Sequence, residues 1–243
     1  MNVIITEDYD TLSEQSADII TNHVTGLEAP VLGLATGSTP LGTYNRLAAR
    51  QAIAPIDYRH VSTINLDEYV GLGKAHPQSY HAFMKEKLFD HIEIPEANTH
   101  IPDGLAENRQ AECERYEQLI DSIGPPDLQV LGIGHNGHIG FNEPGTSFQS
   151  ETHVVNLAPS TREANARFFS SSEEVPCQAI TMGIKSIMKS RKIVLLASGQ
   201  SKAKAIERLF QEEPNEAFPA SVLNQHPNVT LIVDQEAYQL VEQ

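Results

Sequence analysis

Short apolar runs alternate along the chain with longer amphipathic segments. Five of these runs are almost continuously apolar and rich in β-branched residues, which is typical of strands buried on both faces of a sheet. They cover residues 31–35, 61–66, 128–133, 193–197 and 229–233. The alternation predicts βα units around a parallel sheet, and therefore an α/β fold.

The amphipathic segments predict the helices. Ser13 is the expected cap of a first helix that runs to about Val24, and Thr39 followed by Pro40 predicts the start of a helix toward Gln51. Further helices are predicted at 79–89, 107–123, 161–169 and 201–210. Residues 134–158 have little helical pattern and many Gly, Asn and Pro residues, so we expect an irregular segment with a functional role.

Four of the predicted strands run directly into a polar cluster. The clusters are residues 36–40, 67–69, 134–144 and 198–202. Ligands of open parallel sheets bind at the carboxyl ends of the strands, near a switch in strand order. If the strands are parallel, all four clusters meet at one edge, and the sequence predicts a single site there.

Two of these clusters have features that suit a phosphate group. Gly37, Ser38 and Thr39 form a small-residue turn before a predicted helix, where backbone N–H groups, hydroxyls and the helix dipole favour an anion. Lys202 lies in the first turn of another predicted helix, where a cation is disfavoured unless an anion is bound. Arg167 is a further candidate. The alternatives are an ordinary strand-to-helix turn at 36–40 and a solvated helix arginine at 167.

The adjacent carboxylates of Asp67 and Glu68 follow the second predicted strand. Successive side chains of a strand point to opposite faces, so we do not expect the two to act as a pair. One of them faces the cleft as a general base in this interpretation, and the other binds a helix end or a cation. A surface acid at a strand end is the alternative for either residue.

The cluster at 134–144 is open to several interpretations. Glycines at 132, 134 and 137 match the dinucleotide-binding spacing, but no helical pattern follows them. His135, His138 and Glu143 lack a Cys or a third His at a usual ligand spacing, which disfavours a metal site. Asn136 and Gly137 are also compatible with a plain hairpin turn. The remaining hypothesis is a loop in which Glu143 orients His138 for proton transfer.

Composition narrows the class of protein. The chain has 243 residues and a net charge of −15, with 17 basic and 32 acidic residues, which argues against nucleic acid or an anionic membrane as the main partner. Two cysteines do not make a disulfide framework. The start of the chain has no signal-peptide pattern, and no apolar run is long enough to cross a bilayer. We therefore expect a cytoplasmic protein.

Taken in order, four segments resemble the glucosamine-6-phosphate deaminase family. They are Leu-Ala-Thr-Gly-Ser-Thr-Pro at 34–40, Asn-Leu-Asp-Glu-Tyr at 65–69, residues 132–144 with the core Gly-His-Ile-Gly-Phe-Asn-Glu-Pro, and Thr-Arg-Glu-Ala-Asn-Ala-Arg-Phe-Phe at 161–169. The resemblance covers nearly the whole chain. It implies a Rossmann-like three-layer α/β/α sandwich with a mostly parallel sheet, a single domain over residues 1–243, and a lid at about 153–182.

The resemblance also implies an activity, the conversion of glucosamine 6-phosphate to fructose 6-phosphate and ammonia without a metal or organic cofactor. His138 would open the sugar ring, supported by Glu143 and by the residue at position 136. Asp67 would move a proton from C2 to C1 through an enolamine. The phosphate would be held by Gly37, Ser38, Thr39, Arg167 and Lys202.

Two departures from the family pattern matter. Many members have Asp where this chain has Asn136, and Asn can hydrogen-bond His138 but cannot relay a proton. Allosteric members bind N-acetylglucosamine 6-phosphate through basic residues where this chain has His153 and Val155. We expect no such activation, and a monomer or small homo-oligomer. A 6-phosphogluconolactonase and a sugar-phosphate sensor without turnover are the alternative functions.

Overall fold

The computed structural model describes residues 1–166, 169, 171 and 174–241. Among these residues, ten strands form two sheets. The strands are β1 (Asn2–Thr6), β2 (Val31–Leu34), β3 (Ser62–Asn65), β4 (Asp67–Tyr69), β5 (Thr99–His100), β6 (Leu128–Gly132), β7 (His153–Asn156), β8 (Gln178–Thr181), β9 (Ile193–Ala197) and β10 (Val229–Asp234). The larger sheet has the order β1-β10-β9-β6-β2-β3-β5, and each neighbouring pair is parallel.

Helices cover both faces of this sheet. They are α1 (Tyr9–Gly26), α2 (Ser38–Ile53), α3 (Tyr80–Met84), α4 (Asp90–Ile92), α5 (Arg109–Ile123), α6 (Pro159–Asn165), α7 (Ile184–Met188), α8 (Ala203–Gln211) and α9 (Gln235–Tyr238). A π-helical segment, Lys85–Phe89, joins α3 to α4, and 3₁₀ turns lie at Glu96–Asn98, Gln200–Lys202 and Pro219–Gln225.

The apolar core is divided by the sheet into two clusters. Val130 of β6 packs on one face with residues of α1 and α2, whereas its neighbour Leu131 packs on the other face with residues of α5 and α8. This alternation follows from the period of two along a strand. The predicted three-layer α/β/α sandwich is confirmed.

Three helix starts differ from the predictions. Helix α1 is capped by Asp8, whose side chain accepts from Thr11 N, and Ser13 is buried inside the helix. Helix α2 begins after Gly37, so Thr39 is not the cap. The helical segment after β9 begins with a 3₁₀ turn after Gly199, one residue before the predicted start at residue 201. In the last two cases a glycine with positive φ makes the turn.

A small antiparallel sheet of order β4-β8-β7 stands beside the edge where the strands of the main sheet end. It pairs Asp67 with Thr181. Both β7 and β8, with helix α6, fall in the segment 153–182 predicted to act as a lid, and that role stays a prediction. The four strands β9, β6, β2 and β3 are consecutive neighbours in the main sheet, so their carboxyl ends share one edge.

Candidate active site

A cavity of about 430 Å³ opens at this edge, and all four predicted clusters contribute to it. Among the predicted site residues, those that line it are Gly37, Ser38, Thr39, Asp67, His138 and Lys202. Other polar or aromatic residues that line it are Thr36, Tyr80, His135, Phe141, Thr161, Asn165, Ser198 and Ser201. The strand-end argument therefore located the cavity correctly.

Asp67 is a carboxylate held inside the protein, with only 6% of its surface exposed. Strand β4 presents it to the cavity, and Gly140 lies against it: a Cβ at position 140 would be 3.6 Å from Asp67 Oδ2. Burial, and to a smaller extent the negative charge of Glu68, raises the pKa of Asp67 to about 8. A carboxyl group with a pKa near neutrality is suited to general base catalysis.

Glu68 is also fully buried, but its carboxylate is surrounded by hydrogen-bond donors. Its carboxylate accepts hydrogen bonds from Tyr69 N at 2.8 Å, Tyr80 N at 2.9 Å and His81 N at 3.1 Å. The ring Nδ1 of His81 lies 2.9 Å from Glu68 Oε2. Glu68 thus binds the first turn of α3 together with a histidine, as one of the two acids was expected to do, and Asp67 is the one that faces the cavity.

His138, Glu143, Asn136 and Thr161 form a cluster beside the cavity. Nδ1 of His138 lies 3.7 Å from Glu143 Oε2, which is longer than a hydrogen bond. Asn136 Nδ2 donates to Glu143 Oε2 at 2.7 Å, and Thr161 Oγ1 donates to Glu143 Oε1 at 2.5 Å. Burial opposes the charge on Glu143, but His138, Thr161 and Asn136 outweigh it and lower the pKa to about 2. Glu143 is therefore an ionised partner for His138.

The backbone of the loop fixes the ring of His138. Gly134 N donates to His138 O at 2.9 Å, and a Cβ at position 134 would lie 2.3 Å from the ring atom Cε1. Only a glycine at 134 lets the imidazole lie so close to the loop. Asn136 Oδ1 also accepts from His138 N at 3.2 Å, so Asn136 contacts both members of the pair.

Two glycine turns flank this loop, one after β2 and one after β9. Gly37 has a φ of 95° and Gly199 a φ of 85°, a region that favours glycine. The second turn is held by Asp234, which accepts from Gly199 N at 2.9 Å and from Ser198 Oγ. The Lys202 charge, together with burial and His138, lowers the pKa of His135. A positive charge thus faces the cavity from this side, as an anion site requires.

Thr161 and Tyr80 are site residues that sequence reasoning missed. Thr161 belongs to α6 and Tyr80 to α3, and neither follows a strand of the main sheet. Tyr80 is stacked on Phe141 with ring centroids 6.2 Å apart. Thr161 was within a segment quoted for the family resemblance, which is the one signal that could have found it. Arg167, predicted to bind phosphate, lies outside the described residues.

Within the described ranges, no group of three or more His, Cys, Asp or Glu side chains is arranged to hold a metal ion. The expected independence from metal and cofactor stays a prediction. Cys113 and Cys177 are both free. Of the helices that the structure describes, none has the length and apolar character needed to cross a membrane.

Residues 7–232 match the family model of glucosamine-6-phosphate isomerases and 6-phosphogluconolactonase. The chain belongs to this family. A curated glucosamine-6-phosphate deaminase from Geobacillus sp. (strain WCH70) is 57% identical over 241 residues, which are 99% of this chain and 96% of that relative. The resemblance found in the sequence is confirmed.

Solved structures of the family agree with this assignment. A structure described as a monomeric glucosamine-6-phosphate deaminase is 48% identical, with a TM-score of 0.97 over 99% of this chain and 100% of that one. A 6-phosphogluconolactonase from Leishmania guyanensis has a TM-score of 0.80 at 22% identity, over 100% of this chain and 99% of that one. The second likeness shows the shared fold alone.

Proposed function

We propose that this enzyme converts glucosamine 6-phosphate and water to fructose 6-phosphate and ammonia. The observation that carries the proposal is the meeting of three groups at one cavity: the buried carboxyl of Asp67, the His138–Glu143 pair, and the glycine turns with Lys202. The 57% identity to a curated glucosamine-6-phosphate deaminase along almost the whole chain supports the same activity.

Ring opening is assigned to His138. The imidazole takes the proton of the C1 hydroxyl and returns a proton to the ring oxygen, which gives the open-chain aldehyde. Glu143 is ionised, so it stabilises the imidazolium that forms during this transfer. Asn136 donates to Glu143 and therefore orients the pair, but its amide does not relay a proton.

Isomerisation is assigned to Asp67. Its carboxylate removes the proton from C2 while O1 gains a proton, which gives an enolamine. It then delivers the proton to C1 while the amino nitrogen loses one, which leaves an imine at C2 with no net gain or loss of protons. Water adds to this imine and ammonia departs, so that the ketone of fructose 6-phosphate remains. One base that reaches both carbons suffices, and the rigid position of Asp67 on β4 suits that role.

The phosphate group is assigned to the two glycine turns. Gly37, Ser38 and Thr39 supply backbone N–H groups and hydroxyls at the start of α2, and Lys202 supplies a positive charge from the turn after β9. Arg167 is proposed as an additional ligand by family resemblance. Binding at the phosphate orients the substrate without contact to the reacting carbons.

We further propose that the enzyme is a cytoplasmic monomer without activation by N-acetylglucosamine 6-phosphate. The solved deaminase with a TM-score of 0.97 is described as monomeric, which supports the first part. The lack of activation is proposed from the family resemblance alone, which implies basic residues in allosteric members at the positions of His153 and Val155. The segment 153–182 is proposed to close over the substrate, and residues 1–243 to act as one domain.

The test is ammonia release from glucosamine 6-phosphate by purified, EDTA-treated protein, with and without N-acetylglucosamine 6-phosphate. Equal turnover in both conditions is the expected result. Turnover that rises with the acetylated sugar would keep the deaminase and overturn the proposed lack of activation. Hydrolysis of 6-phosphogluconolactone without ammonia release, or binding of sugar phosphate without any turnover, would overturn the deaminase activity itself.

A further inference from the structure

The hydroxyl of Tyr9 contacts the turn that starts α2, from outside that helix. Tyr9 lies at the start of α1, and its Oη donates to Ser38 O at 2.7 Å, with Thr39 O at 3.1 Å. The same oxygen accepts from Gly42 N at 2.7 Å. Residues 38 and 42 are four apart, so the hydroxyl bridges a C=O and an N–H that the α-helical pattern itself pairs.

Gly42 makes this approach possible. A Cβ at position 42 would lie 2.2 Å from Ser13 Oγ and 2.9 Å from both Cζ and Oη of Tyr9. Glycine is otherwise a poor residue for a helix interior. Its presence at position 42 is explained by the tyrosine that packs against it.

The contact acts on a peptide unit of the turn that lines the cavity. The carbonyl of Ser38 and the N–H of Thr39 belong to one planar peptide unit, so a hydrogen bond that fixes the carbonyl also fixes the direction of the N–H. Pro40 has no N–H, which leaves residues 37–39 to supply the backbone donors of this turn. The orientation of the Thr39 peptide therefore bears directly on the binding of an anion.

We propose that Tyr9 is a positioning residue for recognition of the substrate phosphate: its hydroxyl fixes the first turn of α2, and Gly42 provides the space for it. The proposal rests on the proposed function, because it takes the turn at 37–39 as the phosphate site. Tyr9 does not line the cavity among the residues described there, so it acts through the backbone of the turn.

The test compares Tyr9→Phe with the wild type, and Tyr238→Phe serves as the control because that ring packs on Phe210 at the C-terminal end of the chain. For Tyr9→Phe we expect KM for glucosamine 6-phosphate to rise about fivefold, the effect of one lost hydrogen bond, while kcat changes less than twofold. Tyr238→Phe should leave both constants unchanged. A Tyr9→Phe enzyme with wild-type KM, or with an equal loss in kcat, would overturn the proposal.

A binding measurement separates this proposal from the proposed function. Calorimetric titration with fructose 6-phosphate and with inorganic phosphate needs no turnover, and Tyr9→Phe should weaken both by a similar factor. If the wild type binds these anions but releases no ammonia, the proposed deaminase activity is refuted. The comparison of the two affinities still tests the role of Tyr9. Equal affinities of wild type and variant would overturn the role of Tyr9 alone.

Gly42→Ala provides an independent variant, because it displaces the tyrosine without removing its hydroxyl. In an ordinary helix this change raises the thermal stability, so weaker phosphate binding in a protein that still folds points to the lost contact. The double variant with Tyr9→Phe should bind no more weakly than the weaker single variant, since both changes break one contact. Strictly additive losses would contradict a shared mechanism.

Discussion

The side-chain amide of Asn136 donates a 2.7 Å hydrogen bond to Glu143, and its carbonyl oxygen accepts from the backbone N–H of His138. One side chain thus contacts both members of the proposed proton-transfer pair. Its two contacts use both ends of an amide, and an ionised carboxylate at this position has no proton to donate to Glu143. We therefore propose that the role of position 136 is one of orientation.

We predict that Asn136→Ala lowers kcat/KM about tenfold, a partial loss of the roughly 10²- to 10⁴-fold that a positioned acid–base group contributes. The pKa of Glu143 should rise, because one of the three groups that stabilise its charge is gone. Steady-state kinetics and a carboxyl-carbon NMR titration measure these effects. Asn98→Ala is the matched control, since the side chain of Asn98 donates to the Arg59 carbonyl at the surface, far along the chain from the site. Wild-type kinetics in Asn136→Ala would refute the orienting role.

Asp67 is predicted to link activity to the pH dependence of stability. Its pKa is about 8 in the folded protein against an ordinary value of 3.8, so the unfolded chain loses this proton at much lower pH. The free energy of unfolding therefore falls as the pH rises from about 4 to about 8. Asp67→Asn removes this dependence and, with it, the base.

Calorimetry at pH 5 and pH 8 measures the first effect: the Tm of Asp67→Asn relative to that of the wild type should increase by roughly 10 °C between the two pH values. The second effect is loss of ammonia release and of C2 proton exchange with solvent. Parallel Tm profiles for the two proteins would mean that the carboxyl of Asp67 titrates normally. Normal turnover by the variant would remove Asp67 from the mechanism.

Burial is the main cause of the raised pKa of Asp67, and Glu68 is predicted to raise that pKa further through its charge. Glu68→Gln removes a neighbouring negative charge, so the pKa of Asp67 should fall and the acid limb of kcat/KM should move to lower pH. The variant also loses one of the two carboxylate oxygens that accept hydrogen bonds from Tyr69, Tyr80 and His81, so the free energy of unfolding should fall by about 1–3 kcal/mol.

The pH–rate profile and denaturant titrations test this prediction. Glu114→Gln, which changes an exposed acid of α5 that accepts from Gln110, should alter neither the pH–rate profile nor the denaturant titration. An acid limb that stays in place in Glu68→Gln would show that burial alone sets the pKa of Asp67.

Lys202 is predicted to contribute to substrate affinity through its charge. Lys202→Gln should raise KM roughly 10- to 100-fold, as expected for a charged hydrogen bond, with a smaller change in kcat. The pKa of His135 should rise toward 6.5 in the same variant, because the Lys202 charge is the main cause that lowers it. Proton NMR of the histidines follows the second effect. Lys204→Gln, two residues along and exposed, is the control; equal KM values in the two variants would refute the assignment.

The main sheet and the place of the cavity could be predicted from the sequence because both depend on local patterns. The predicted strand at 193–197 matches β9 residue for residue, and the other four are within one residue of their observed ends. Strands β1 and β5 of the main sheet were not predicted. Ile5 of β1 is half exposed, and β5 has only two residues, so neither gives a continuous apolar signal.

The first residue of each helix could not be predicted, because several residues of the types that cap helices lie close together in the sequence. Asp8 and Ser13 satisfy the same local rule, and only the tertiary structure decides that Ser13 is buried against α2 near Gly42. The same limit applies to Thr161 and Tyr80. Each reaches the site through packing of an element remote in sequence, which no spacing along the chain encodes.

The order β9-β6-β2 places the proposed phosphate-binding residues and the proposed ring-opening residues on the loops of different strands. The turns proposed to bind the phosphate follow β9 and β2, and the loop with His138 follows β6, which lies between them. The two turns are therefore about 10 Å apart, twice the distance between neighbouring strands. The residues proposed to bind phosphate and the residues proposed to open the sugar ring therefore lie on different loops. The loop after β6 could therefore be redesigned to catalyse other reactions of phosphorylated sugars. The turns after β2 and β9 would still bind the phosphate group that these substrates share.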